Sequence, residues 1–191
     1  MCEFVVFDFD FTIAKTIEHI LVASPRGSFI MDDESYERIH PTELQQRGIA
    51  DDEKIDEQKS FIEFYKLNLE KCKIIKPILI YLKYYSDNQK VFILTARPQS
   101  LENDILKLLK ENKINIENIS YNGLANSSFL EKTKWIKDNI SNQYDTIVLF
   151  EDNKKLIDHL IKENDIKQSK ELYYINNLTE KTIITYHETK N

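Results

Sequence analysis

Phe4-Val5-Val6-Phe7-Asp8-Phe9-Asp10-Phe11-Thr12 decides how the rest of the chain reads. Four consecutive apolar residues, two of them β-branched, predict a strand buried on both faces. The strand runs straight into two carboxylates spaced two apart, with a hydroxyl two positions further on. In an open α/β sheet, ligands bind in the crevice outside the carboxyl ends of the strands. Two acids held there repel each other, so a cation is the natural third party. Taken alone, the stretch equally suits a buried strand leaving the core through solvated aspartates, with Thr12 capping a turn. The remainder of the chain separates the two readings.

The chain has 191 residues, of which 41% are hydrophobic and 30% charged. That length suits one domain, 1–191, with a small insertion, and a core of ordinary size. The formal charge of −6 argues against a surface built for indiscriminate nucleic-acid binding. Only three Gly and four Pro imply few tight turns and much regular structure. Cys2 and Cys72 form no framework and no Cys-x-x-Cys pair, which fits a reducing compartment, and both read as ordinary buried thiols. No basic leader or cleavage site precedes the first strand, and no apolar run approaches the ~20 residues that span a bilayer. A cytoplasmic protein without membrane contact is expected, and nothing suggests an obligate protein partner.

Beyond Thr12, residues 17–31 pair two extended runs across Ser24-Pro25-Arg26-Gly27 and predict a β-hairpin placed to act as a flap. Residues 32–75 read as a small, partly helical insertion, too short for a core of its own. From Pro77 the pattern turns regular. A helix is expected from Pro77 to about Ser86, with Ile78, Leu79, Leu82 and Tyr85 inward. A strand at 91–94, a helix at 101–112, a weaker strand at 116–121 and a helix at 132–140 follow. The apolar strand 146–150, helix 154–163, strand 172–175 and a terminal strand at 183–186 complete the chain. Short apolar strands alternating with amphipathic helices describe a parallel sheet covered on both faces.

The three strongest strands end in Asp8 and Asp10, in Thr95-Ala96-Arg97, and in Glu151-Asp152-Asn153. Parallel strands bring these ends to one rim. A lysine-bearing helix start, Lys132 or Lys134, lies between the second and third. On the helical wheel, at ~100° per residue, Lys132 shares the face of Trp135, Ile136 and Ile140, while Lys134 points away. A lysine on the buried stripe calls for an anion, and the rim acids supply one. Thr95 and Ser100 also suit a helix start announced by Pro98, and Asp152 suits an N-cap. Arg97 suits either a substrate contact or an ion pair with the rim acids. The four histidines lack metal-ligand spacing, and no Gly-rich loop marks a nucleotide site.

The ordered set Asp-x-Asp-x-Thr, strand-Thr, Lys, strand-Glu-Asp resembles the haloacid dehalogenase superfamily of phosphotransferases, over residues 4 to 153. The resemblance implies a three-layer, doubly wound α/β fold with strand order 3-2-1-4-5. It implies a Mg²⁺-dependent phosphomonoesterase with Asp8 as nucleophile and Asp10 as acid and base. Thr95, the Ala96 backbone and Lys132 would hold phosphate. The Asp8 side chain, the Asp10 carbonyl and Asp152 would ligate Mg²⁺. Thr12, Arg97, Glu151 and Asn153 are further candidates, Glu151 either supporting metal-bound waters or orienting the lysine. The substrate would be a phosphorylated small molecule, a nucleotide or a nucleic-acid end. A polynucleotide 3′-phosphatase or nucleotidase is the narrower version. A phospho-accepting signalling domain and an inactive binding module are the alternatives outside catalysis. Phe11 stands where the superfamily often has Gly, a departure that alters packing rather than chemistry.

Overall fold

The computed structural model describes residues 2–16, 19–24, 27–32, 67, 69–125, 127–176 and 182–189. The chain forms two compact units, Met1–Lys15 with Cys72–Asn191, and Thr16–Lys71. In the second unit, β3 (His19–Ser24) and β4 (Gly27–Asp32) pair antiparallel. The insertion expected at 32–75 falls largely on residues 33–66, outside the described residues.

The first unit is an α/β body around one six-stranded sheet. Its strands are β1 (Glu3–Phe7), β6 (Val91–Thr95), β7 (Ile119–Gly123), β8 (Thr146–Glu151), β9 (Ser169–Asn176) and β10 (Ile183–Thr189). They lie side by side as β10-β9-β8-β1-β6-β7. All neighbours pair parallel except β9 and β10, which are antiparallel. Among the described residues four α-helices connect them: α1 (Lys76–Asn88), α2 (Glu102–Glu111), α3 (Phe129–Asn139) and α4 (Lys154–Lys162). A short ladder of β2 (Ala14–Lys15) with β5 (Lys73–Ile74) joins the two ends of the interrupted chain. No helix among the described residues is long and apolar enough to cross a membrane.

Burial on both sheet faces explains the uniform apolar strands, since β1 and β8 lie at the centre with helices on either side. Alternation along each strand sends Phe4 and Val6 to the face covered by Ile136 of α3 and by Leu156, Ile157 and Leu160 of α4. Phe7 takes the other face, where Tyr85 of α1 meets it edge-on. Register sets Phe7, Phe150, Tyr173 and Tyr186 abreast, and their rings follow one another across the sheet at 4.3, 4.4 and 5.1 Å.

Several local expectations need correction. Leu79 is only half-buried, because the inward stripe of α1 runs through Ile78, Leu82, Tyr85 and Ser86. The segment 116–118 is a 3-10 turn, with Asn115 accepting from the Glu117 N–H, and β7 begins only at Ile119. Helix α3 starts at Phe129 rather than Lys132, set by the capping box of Ser128 and Glu131. Neither Thr95 nor Ser100 caps the helix after β6, which opens as a 3-10 turn behind Pro98 without a side-chain cap. The cysteines are not buried: Cys2 is exposed and Cys72 intermediate. Cys2 precedes β1, and its backbone, not its thiol, is fixed by Asp145.

One close approach fixes the loop after β6. A Cβ on Gly123 would lie 2.6 Å from Arg97 O, Gln99 N and the Pro98 carbonyl carbon. The Gln99 side chain bridges the same gap, accepting from Gly123 N–H and donating to Tyr121 O. Gly123→Ala forces backbone against backbone and is expected to cost about 1–3 kcal/mol, as overpacking does elsewhere. Urea unfolding should show this as a lower midpoint at unchanged slope.

Candidate active site

The site grows out of strand order. Because β1 lies between β6 and β8, the residues that follow these three strands meet at one rim. The β1–β8 ladder continues one step past the strand, with Asp8 N–H donating to Phe150 O at 2.9 Å. That bond sets Asp8 beside Glu151 and Asp152. Ligand oxygens of the three carboxylates lie within 4.8 Å of one another. Asp8 and Glu151 are buried, and Asp152 is half-buried.

Like charges this close need an answer, and Lys132 supplies it. From the first turn of α3 its ammonium donates to Asp8 Oδ1 at 2.8 Å and to Glu151 Oε2 at 2.9 Å. Lys132 is buried whereas Lys134 is exposed, the arrangement that the helical wheel predicts. Burial alone would push the ammonium down, but the charges of Asp8 and Glu151 outweigh it and hold Lys132 above the usual lysine range. Glu151 also orients the next turn, its Oε1 accepting from Asn153 N–H at 3.0 Å. The N-cap of α4 is Asn153 and not Asp152, its side chain accepting from Lys155 and Leu156. Asp152 is thereby left at the rim with the other acids.

The second acid has its own cation. Arg97 grips Asp10 through a bidentate fork, Nη2 to Oδ1 at 2.7 Å and Nε to both oxygens at 3.0 Å. Of the two readings left open for Arg97, the structure has the ion pair. Thr95 is fully buried, and its hydroxyl accepts from Arg97 N–H at 3.1 Å and lies 3.5 Å from Asp10 Oδ2. Ala96 is half-buried between them. Thr12 does not cap the turn: its buried hydroxyl has no hydrogen-bond partner among the described residues. The turn is closed by backbone bonds from Ile13 and Ala14 to Phe9 O. Phe11 within it has φ +53°, a left-handed conformation that glycine adopts without strain.

The donor set suits a divalent cation. Among the described residues, four carboxylates, Asp8, Asp10, Glu151 and Asp152, meet two cations, Lys132 and Arg97. Hard oxygen donors grouped this way match Mg²⁺ chemistry. The cluster is strained without such a charge. Burial, then the charge of Glu151, pushes Asp8 up to about 7 against the pull of Lys132. Burial, then Asp8 and Glu151, likewise lifts Asp152 well above the carboxylate range.

Missing from the sequence reading were Gln99 and Gly123, which strap the Arg97 loop, and the cap of α3. The Ser-x-x-Glu pattern at 128–131 was a usable signal for the cap. Gln99 and Gly123 carry none, because their contact joins segments far apart in the chain. The chain matches no protein-family model, no curated protein and no solved structure.

The raised Asp8 gives a pH test with a definite sign. Between 3.8 and about 7 the native state keeps a proton that the unfolded chain has lost. Stability in EDTA should therefore fall as pH rises through that window and level off above it. Asp8→Asn should flatten the decline, read as urea midpoints from pH 4.5 to 8.

Proposed function

We propose that the protein is a Mg²⁺-dependent phosphomonoester hydrolase working through an aspartyl-phosphate. The carrying observation is the buried Lys132 ammonium between Asp8 and Glu151, with Asp152 in reach, at the carboxyl rim of a mostly parallel sheet. Counted in chain order, the five parallel strands run third, second, first, fourth, fifth across the sheet, which supports the resemblance to haloacid dehalogenase-type phosphatases.

In this reading Asp8 attacks phosphorus, the bond to the leaving oxygen breaks, and Asp10 passes that oxygen a proton. Water then attacks the aspartyl-phosphate, giving its proton to Asp10 while the bond from phosphorus to Asp8 breaks. Lys132 holds the transferred phosphoryl group, with Thr95 and the Ala96 backbone as further donors. The Asp8 and Asp152 side chains and the Asp10 carbonyl would hold Mg²⁺, which supplies positive charge against the phosphate dianion. The substrate is a phosphomonoester, whether metabolite, nucleotide or nucleic-acid end.

A panel of phosphorylated metabolites, nucleotides and 3′- or 5′-phosphorylated oligonucleotides tests the reading. Turnover of at least one member is expected with Mg²⁺, none in EDTA, and none for Asp8→Asn. Full activity in chelator, or more than a few per cent with Asp8→Asn, would overturn it.

The two lysines provide an internal control. Lys132→Ala should lower the rate roughly 10²–10³-fold, as for one lost preorganised donor. Lys134→Ala should leave the rate unchanged and stability within about 0.5 kcal/mol. Comparable losses from both would place the phosphate elsewhere.

A further inference from the structure

Among the described residues Arg97 is the largest fully buried side chain, with 0% exposure, yet it ends on an acid of the rim. Its setting is rigid. Its N–H donates to Thr95 Oγ1, its carbonyl accepts from Ala125 N–H at 3.3 Å, and a Cβ on Gly123 would lie 2.6 Å from that carbonyl. Its guanidinium carbon lies 5.9 Å from the centre of the buried Phe9 ring. Asp10 is the more exposed half of the pair, its side chain 19% exposed on a tight turn. Asp8, two residues before it, is an acid that belongs to the cluster with Glu151 and Asp152, and the ammonium of Lys132 is already committed to Asp8 and Glu151. Repulsion from that cluster would turn Asp10 towards solvent, and the planar guanidinium opposes the turn with a fixed orientation that a lysine cannot impose.

We propose that Arg97 is a positioning residue for Asp10, fixing the carboxylate that exchanges a proton with the leaving oxygen, without itself touching substrate. This rests on the phosphomonoesterase reading. The Nε and Nη2 donors of Arg97 are both engaged on Asp10, and this two-point grip fixes the direction and the rotation of the carboxylate. Misplacing a catalytic group by ~1 Å can cost about 10²-fold in rate, which sets the scale of the effect.

The test compares wild type, Asp10→Asn, Arg97→Met, Arg97→Lys and the double variant Asp10→Asn/Arg97→Met. Each is assayed on an alkyl phosphate, whose leaving group needs a proton, and on an aryl phosphate, whose leaving group does not. Arg97→Met should lower kcat on the alkyl ester roughly 10–100-fold with KM little changed, and the aryl ester much less. In the Asp10→Asn background the same substitution should cost almost nothing further. Arg97→Lys should keep the fold and recover little of the rate, because the charge returns without the fork. Independently of turnover, the Arg97 Nε–H resonance should be protected from exchange in wild type and lose that protection in Asp10→Asn. Equal losses on both esters, additivity with Asp10→Asn, or a rise in KM alone would overturn the role and make Arg97 a phosphate ligand or a purely structural residue. Full activity of Arg97→Met would overturn it as well. If Asp10→Asn itself has no effect, or wild type turns over no phosphomonoester, the underlying reading fails and the role fails with it. An effect of Asp10→Asn alone leaves that reading standing and rejects only the part given to Arg97.

Discussion

The ammonium of Lys132, set between Asp8 and Glu151, is the interaction on which the rim depends. Phe7 and Phe150 stand in register on adjacent parallel strands, so the acids that follow them are forced together. The backbone ladder sets Asp8 and Glu151 side by side, and both side chains are buried there. A cation must therefore come from elsewhere, and helix α3 brings one from the loop beyond β7. Buried ion pairs rarely exceed apolar packing in stability, although breaking one by removing a single partner commonly costs about 3–5 kcal/mol. An apolar trio in place of Asp8, Glu151 and Lys132 would hold these elements together about as well. Stability alone does not account for three charges there, and the proposed chemistry does.

The two cations divide the acids between them. Lys132 reaches from a helix to the Asp8–Glu151 pair, while Arg97 reaches from a strapped loop to Asp10. The division matches what hydrolysis through a covalent intermediate asks of two carboxylates, one aimed at phosphorus and one at a proton. Asp152 stands beside them at the spot where burial and the charges of Asp8 and Glu151 raise its affinity for protons against the pull of Lys132.

Local patterns made much of this legible. Buried strands announce themselves as apolar runs, so β1, β6 and β8 and the polar residues ending them could be read directly. The choice of Lys132 over Lys134 followed from helical geometry, which holds wherever the helix begins. That is why starting α3 at Lys132 instead of Phe129 did no harm. Long-range facts were not legible. Arg97 and Asp10 are 87 residues apart, and either of two partners suited the arginine equally. Cys2 is exposed, and its backbone N–H donates to Asp145, 143 residues away. Nor does any local signal report that Gly123 must lack a side chain, since the obstacle is the backbone of another loop.

Among the described residues, most of those that break local rules gather at one rim, although the buried Lys170 and the unpartnered hydroxyl of Thr189 lie together at the start of β9. Phe11 and Ala125 have φ of +53° and +48°, one following β1 and the other following β7, both at the carboxyl rim. Thr12, with its unpartnered buried hydroxyl, and the buried charges Lys132, Arg97 and Glu151 belong to the same rim or point into it. Lys113 also has a positive φ, of 64°, but there the chain closes α2, the Lys113 N–H donating to Lys110 O and the Ile114 N–H to Leu109 O. That is an ordinary way to end a helix. Each irregularity at the rim costs about 1–3 kcal/mol and persists only where its surroundings over-determine it. The rest of the fold largely follows hydrophobic patterning and register, so selection for folding alone would have little reason to gather so many exceptions at one edge. Their convergence on the acids is an argument for chemistry at that edge that needs no resemblance to any family.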